Sequence, residues 1–149
     1  MARPFTVDAS VFLNAFNPSE TGHEESHRVL TWLQEQAIPI IVPTLVLPEV
    51  AATISRVRGN AALARDFVSA LSRLPNLVWV TLDATLARQA ADAAAQHRLR
   101  GSDAVYAAVA LRFGSLLVTL DREQRERLDK VLTSRYPAQV LADIEQKDK

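Results

Sequence analysis

A chain of 149 residues with 48% hydrophobic and 23% charged content is the size of about one domain and is long enough to bury a real core. It has no cysteine, which excludes disulfides and thiolate metal sites, and its three histidines (His23, His27 and His97) are too few for a histidine-rich zinc site. Seventeen basic residues balance seventeen acidic ones, which excludes a generally basic nucleic-acid coat, although a metal site can supply positive charge locally.

In chain order, Phe5-Thr6-Val7 is a short β-favouring run that stops at Asp8-Ala9-Ser10. A strand this early, followed by helical patterns, reads as a central strand of a parallel sheet, with Asp8 at its carboxyl end where such sheets place ligands. Val11 to Phe16 is apolar and helical, and Asn17-Pro18-Ser19 breaks it. From Glu24 to Gln36, Val29, Leu30, Trp32 and Leu33 recur at helical spacing. Ile38 to Pro43 reads as a buried second strand, and Thr44 is a candidate cap for a helix running to about Arg58, with Pro48 near its start. Ala61 to Leu74 is a further helix. Leu77 to Leu82 is the third strand, Asp83 to His97 an alanine-rich helix, and Gly101-Ser102 opens a helix that stops at Gly114. Ser115 to Thr119 is the fourth strand, and a charged helix runs from Asp121 to about Leu132. Gln139-Val140-Leu141 is expected as a small fifth strand and residues 145–149 as a frayed tail, leaving one domain over 1–144. Strands alternating with helices predict a three-layer α/β/α sandwich with a mostly parallel sheet. No apolar run reaches the roughly 18 residues needed to span a bilayer, so a cytoplasmic protein without a membrane partner is expected.

Four acids stand out, each with a plain structural alternative. Asp8 suits a ligand site or a cap on the next helix. Glu49 lies on the border of an apolar stripe formed by Val46, Val50, Ile54 and Val57, where a solvated flank is the bland reading. Asp103 is the one acid on a helix that is apolar nearly all round, at the end where a carboxylate also favours the helix dipole. Asp121 follows a strand and makes a capping-box-like pattern with Gln124. Thr81-Leu82-Asp83 has the same local form as Thr119-Leu120-Asp121, so local pattern cannot separate a ligand from a cap.

Together, Val7-Asp8-Ala9-Ser10, Pro48-Glu49-Val50, Ser102-Asp103-Ala104 and Thr119-Leu120-Asp121, in this order and over the whole chain length, resemble the PIN-domain nucleases, especially the VapC-like toxins of bacterial toxin–antitoxin pairs. The resemblance implies a sheet of strand order 3-2-1-4-5 and a ribonuclease dependent on Mg²⁺ or Mn²⁺. It makes Asp8, Glu49, Asp103 and Asp121 the acidic metal cluster, with Ser10 and Thr119 as hydroxyls that orient carboxylates or the attacking water. Glu123 could share or displace the role of Asp121. RNA substrate, a cognate antitoxin and a homodimer are the partners it implies. Converging carboxylates repel one another and bind a hard divalent cation, which activates water without a nucleophilic serine or histidine. Arg98, Arg100, Arg122 and Arg125 flank these positions as candidate phosphate contacts. An inactive PIN-like binding module is the alternative. A phosphotransferase of the haloacid-dehalogenase type lacks the second acid it needs, since Ser10 stands there.

Overall fold

Five strands and eight helices are found in residues 3–147, the part of the chain that the computed structural model describes. The strands are β1 (Phe5–Val7), β2 (Ile40–Pro43), β3 (Leu77–Val80), β4 (Leu116–Val118) and β5 (Ser134–Arg135). They form one sheet in the order β3-β2-β1-β4-β5, and every pairing is parallel. This is the order that the resemblance implies. β1 and β2 are buried at every residue, as strands covered on both faces must be. β3 lies at the edge and leaves Val78 45% exposed.

The helices are α1 (Ala9–Ala15), α2 (His23–Glu35), α3 (Val46–Arg58), α4 (Ala61–Ser72), α5 (Ala84–His97), α6 (Gly101–Phe113), α7 (Arg122–Leu128) and α8 (Pro137–Lys147). Right-handed crossovers put the helices between β1, β2 and β3 on one face and those leading back from β3 to β4 on the other. Helix contacts divide the same way: α1 packs on α2 and α3, and α2 on α8, whereas α5 pairs with α6. Helix α6 lies against β1, β2 and β4, and its residues Ala104 through Ala110 are all buried. A valine buried as completely as Val109 contributes about 1.5–3 kcal/mol. Gly114 ends α6 with φ +63°, in the left-handed region that glycine enters without a Cβ penalty.

Several local expectations need correction. Residues 139–141 are not a strand. They lie in α8, and the fifth strand is Ser134–Arg135, paired with β4. Pro137 starts α8 where no N–H is needed, and Gln139 Oε1 reaches back to accept from the Tyr136 backbone N–H at 2.9 Å, half of a capping box. Thr44 does not cap α3; its Oγ1 accepts from the Leu82 backbone N–H at 3.3 Å, which ties the β2 end to the β3 end. Pro48 costs α3 nothing, because first-turn N–H groups have no partner within the helix. Only Val46 and Val50 of the expected stripe are buried, and Val57 is 73% exposed where α3 pairs with α4. The charged helix α7 ends at Leu128 rather than about Leu132, in a turn where the Val131 N–H donates to the Leu128 carbonyl. Of the expected tail, residues 145–147 belong to α8, and residues 148–149 lie outside the described residues.

Candidate functional site

The order of the sheet reverses beside β1, and the connections leaving β1 and β4 part company at its carboxyl edge, opening a crevice. Val7 pairs with Val118, so the residues that follow them, Asp8 and Thr119, stand abreast. The Thr119 hydroxyl donates to Asp8 Oδ2 at 2.6 Å. The other carboxylate oxygen accepts from the Ser10 backbone N–H at 2.7 Å, which makes Asp8 the cap of α1, and also from the Ser10 hydroxyl. Both hydroxyls accept in turn from the β4 loop: Ser10 Oγ from the Leu120 N–H at 3.3 Å and Thr119 Oγ1 from the Asp121 N–H at 3.0 Å. Asp8 is therefore held by both oxygens and is only 5% exposed. Burial pushes its carboxyl above the usual range, while the Ser10 and Thr119 hydrogen bonds pull the other way.

Glu49 comes to the same place from the first turns of α3. The buried Tyr106 donates its hydroxyl to Glu49 Oε1 at 2.5 Å. Burial raises the Glu49 carboxyl, the tyrosine bond offsets part of that, and the charge of Asp8 adds to the rise. Tyr106 itself is pushed far up by burial and by the Glu49 charge, so it stays a protonated donor. The bland reading of Glu49 as a solvated flank does not describe it.

Asp103 projects from the first turn of α6, one turn before Tyr106 and so on the same side of that helix. Its carboxyl is pushed up to about 6, first by burial and then by Asp121, with Arg100 opposing and Asp8 and Glu49 adding smaller increments. Asp103 thus feels the charge of all three other acids, each of which comes from a different part of the chain. Asp121 caps α7, accepting from the Gln124 N–H at 3.0 Å, while its second oxygen takes the Arg100 guanidinium at 2.7 Å. It is both cap and member of the cluster. The exposed Glu123 lies 3.7 Å from Arg100 and also pairs with Arg127.

The sequence reading passed over Tyr106 and placed Gln124, expected as the capping-box partner of Asp121, and Arg100 differently; the Asp121 N–H goes to Thr119 Oγ1 instead. Tyr106 carries the one long polar tip among the buried residues of α6, and a buried phenol needs a partner, which was the available signal. Gln124, 1% exposed, donates to the Asp103 carbonyl at 3.3 Å and links α7 to the start of α6. Arg100, expected on substrate, lies instead across Asp103, Asp121 and Glu123. Arg122 pairs with Glu126 at 2.8 Å, and Arg125 stacks 4.8 Å over the Tyr136 ring.

The chemistry of the donor set fits a hard divalent cation: carboxylate and hydroxyl oxygens, with Asp8 and Glu49 partnered only by uncharged donors, hydroxyls and one backbone N–H. The arrangement is not yet a coordination shell. Among the described residues no three acidic or histidine side chains are gathered closely enough to hold a metal ion. No helix among them is long and apolar enough to cross a membrane.

Solved structures share this fold. VapC20 of Mycobacterium tuberculosis, described as a sarcin-ricin-loop-cleaving toxin, superposes with a TM-score of 0.69 at 20% identity, covering 82% of this chain and 93% of its own. PAE2754 of Pyrobaculum aerophilum does so at 0.68 and 23% identity, covering 98% of this chain and 99% of its own. VapBC2 of Rickettsia felis, bound to a DNA fragment from its promoter, scores 0.66 at 14% identity, covering 89% and 97%. At these identities the likeness is one of fold. No curated protein matches by sequence. Residues 5–130, which span β1 through α7 and all four acids, match the PIN domain, and the chain belongs to that family.

Proposed function

We propose that the chain is a metal-dependent endoribonuclease and the toxin of a toxin–antitoxin pair. The observation that carries this reading is the placement of Asp8, Glu49, Asp103 and Asp121 around one crevice, where Arg100 bridges Asp103 and Asp121 and the other three acids are near enough to disfavour ionisation of Asp103. Surplus negative charge at the carboxyl edge of a parallel sheet destabilises the protein unless a cation enters it. Asp8, Glu49, Asp103 and Asp121 would hold Mg²⁺ or Mn²⁺, which when bound supplies a water of lowered pKa and offsets charge on the phosphoryl oxygens. Ser10 and Thr119 fix the Asp8 carboxylate through both oxygens, so its orientation is set before any ligand arrives. Tyr106 holds one oxygen of Glu49 and so helps to fix its orientation.

The toxin role rests on the relatives: VapC20 is a toxin by description, and a fold neighbour from Klebsiella pneumoniae is a toxin–antitoxin complex. The chain also offers a place for such a partner. An apolar groove of about 320 Å³ runs between α1, α3 and α4, lined by Phe16, Ile54, Val57, Leu63 and Phe67. Phe16, Val57 and Leu63 there are 49%, 73% and 43% exposed, surface that an antitoxin segment would cover. A basic side chain of that segment, reaching the acids, would inhibit the enzyme.

Incubation of purified protein with RNA tests the enzymatic reading. Cleavage with Mg²⁺ or Mn²⁺ that stops in EDTA and is absent from Asp8→Asn is the expected result. A protein that binds RNA but leaves it intact under every metal condition is the inactive binding module instead.

A further inference from the structure

We infer that Arg100 is a resident counter-ion of the acidic cluster, which competes with the divalent cation for Asp103 and Asp121 and so lowers the metal affinity of the free protein. The inference rests on the metal reading above and adds to it a residue that limits binding.

Arg100 occupies the cap position of α6 with extended backbone (φ −64°, ψ 154°), and its side chain makes no capping bond. That side chain turns across the crevice toward α7. Its Nη2 is 2.7 Å from Asp121 Oδ2 and 3.7 Å from Glu123 Oε2, and its Nε is 3.5 Å from Asp103 Oδ2. One guanidinium thus serves three carboxylates from two helices. The second Asp121 oxygen is already engaged by the Gln124 N–H at 3.0 Å, so while Arg100 is in place both Asp121 oxygens have partners.

The other half of the cluster differs. The hydrogen bonds to Asp8 and Glu49 come from hydroxyls and a backbone N–H, none of which carries charge. A cation entering the crevice finds those two acids uncompensated, whereas Asp103 and Asp121 must first give up their arginine. A guanidinium does not lose its charge at any pH the protein survives, so the arginine gives way only by moving. The Arg100 side chain is 67% exposed, and an exposed ion pair is weak, which leaves it free to move. The result is a cluster that is partly neutralised without metal, at the cost of weaker binding when metal arrives.

The test uses the full chain without RNA, reading bound Mn²⁺ from the loss of the free-ion electron paramagnetic resonance signal. Arg100→Gln and Arg100→Met remove the charge; Arg112→Gln, at the far end of α6 beside Gln89, controls for a general change in charge. Because the Arg100 side chain makes no cap, both variants should give the parent's circular dichroism spectrum. The expected result is Mn²⁺ binding about tenfold tighter in both Arg100 variants, equivalent to about 1.4 kcal/mol, with Arg112→Gln unchanged. Equal or weaker binding in the Arg100 variants, with the parent still binding, overturns the competition and leaves the metal reading standing. Absence of binding in the parent and every variant overturns both.

Discussion

Thr81-Leu82-Asp83 and Thr119-Leu120-Asp121 are the same three residues in the same setting, each after a strand and each opening a helix. Both aspartates cap: Asp83 accepts from the Leu86 N–H at 2.8 Å and Asp121 from the Gln124 N–H at 3.0 Å. The resemblance ends there. Thr81, Leu82 and Asp83 are all exposed, because β3 is the outer strand. Thr119 is fully buried, because β4 adjoins β1, and its hydroxyl lies on Asp8. What separates the two aspartates is the neighbouring strand, a property of topology that no local stretch carries.

The largest expected difference between the two is in activity. Asparagine caps a helix about as well as aspartate, so neither Asp83→Asn nor Asp121→Asn should change stability much. Asp121→Asn should lower RNA cleavage by about hundredfold or more, the scale seen when one group that stabilises the reacting charge is removed. Asp83→Asn should stay within a few-fold of the parent. Parallel losses in a cleavage assay break the comparison.

Tyr106→Phe sharpens it by asking whether Glu49, which comes from neither tripeptide, belongs to the same unit. Deleting the hydroxyl frees Glu49 Oε1 without disturbing the apolar face of α6. A loss of about tenfold in cleavage, with little change in melting temperature, is expected of a residue that orients a ligand. An unaltered rate takes Tyr106 out of the site.

Much of this was legible before folding. The buried runs at β1 and β2, the glycine stop of α6 and the strand-then-acid pattern at Asp8 all follow from local chemistry. Strand order came only through resemblance, since Asp83 and Asp121 read alike. β5 was misplaced because Val140-Leu141 is apolar in either periodicity, while the deciding contacts, Pro137 at the first helical position and Gln139 on Tyr136, act at the helix start. Arg100 was legible as a nearby cation; that it would turn onto Asp121, 21 residues away in sequence, depends on how α6 and α7 meet.

The threonines differ in stability. Thr119→Val leaves Asp8 Oδ2 and the Asp121 N–H without their partner inside the protein, a cost of about 1–3 kcal/mol. Thr81→Val keeps the one contact Thr81 makes to Asp83, from its backbone carbonyl at 2.8 Å, and should change stability by less than about 0.5 kcal/mol. Urea unfolding of the two variants compares them directly.

A smaller effect is the pH dependence of the metal-free protein. The Asp103 carboxyl is raised from 3.8 to about 6 by folding, so the folded state binds more protons between those values. Its contribution to stability is full below about pH 4 and is lost as pH rises through about 6, and the raised carboxyls of Asp8 and Glu49 act in the same direction. In EDTA, the parent should lose stability from pH 4 to pH 7 by on the order of 1 kcal/mol more than Asp103→Asn does. Equal slopes in urea unfolding show that Asp103 is not strained by its neighbours.

The central claim is that the acids beside β1 and β4 form one cation site from which Asp83 is absent. Thermal melts of the parent, Asp8→Asn, Asp121→Asn and Asp83→Asn, with EDTA and with Mn²⁺ in excess, test it most directly. A ligand at 100 times its dissociation constant adds about 2.7 kcal/mol, which for a domain of this size is a melting shift of about 6–10 °C. The parent and Asp83→Asn should show that shift in full, and Asp8→Asn and Asp121→Asn little of it. Four equal shifts, or none in the parent, contradict the claim.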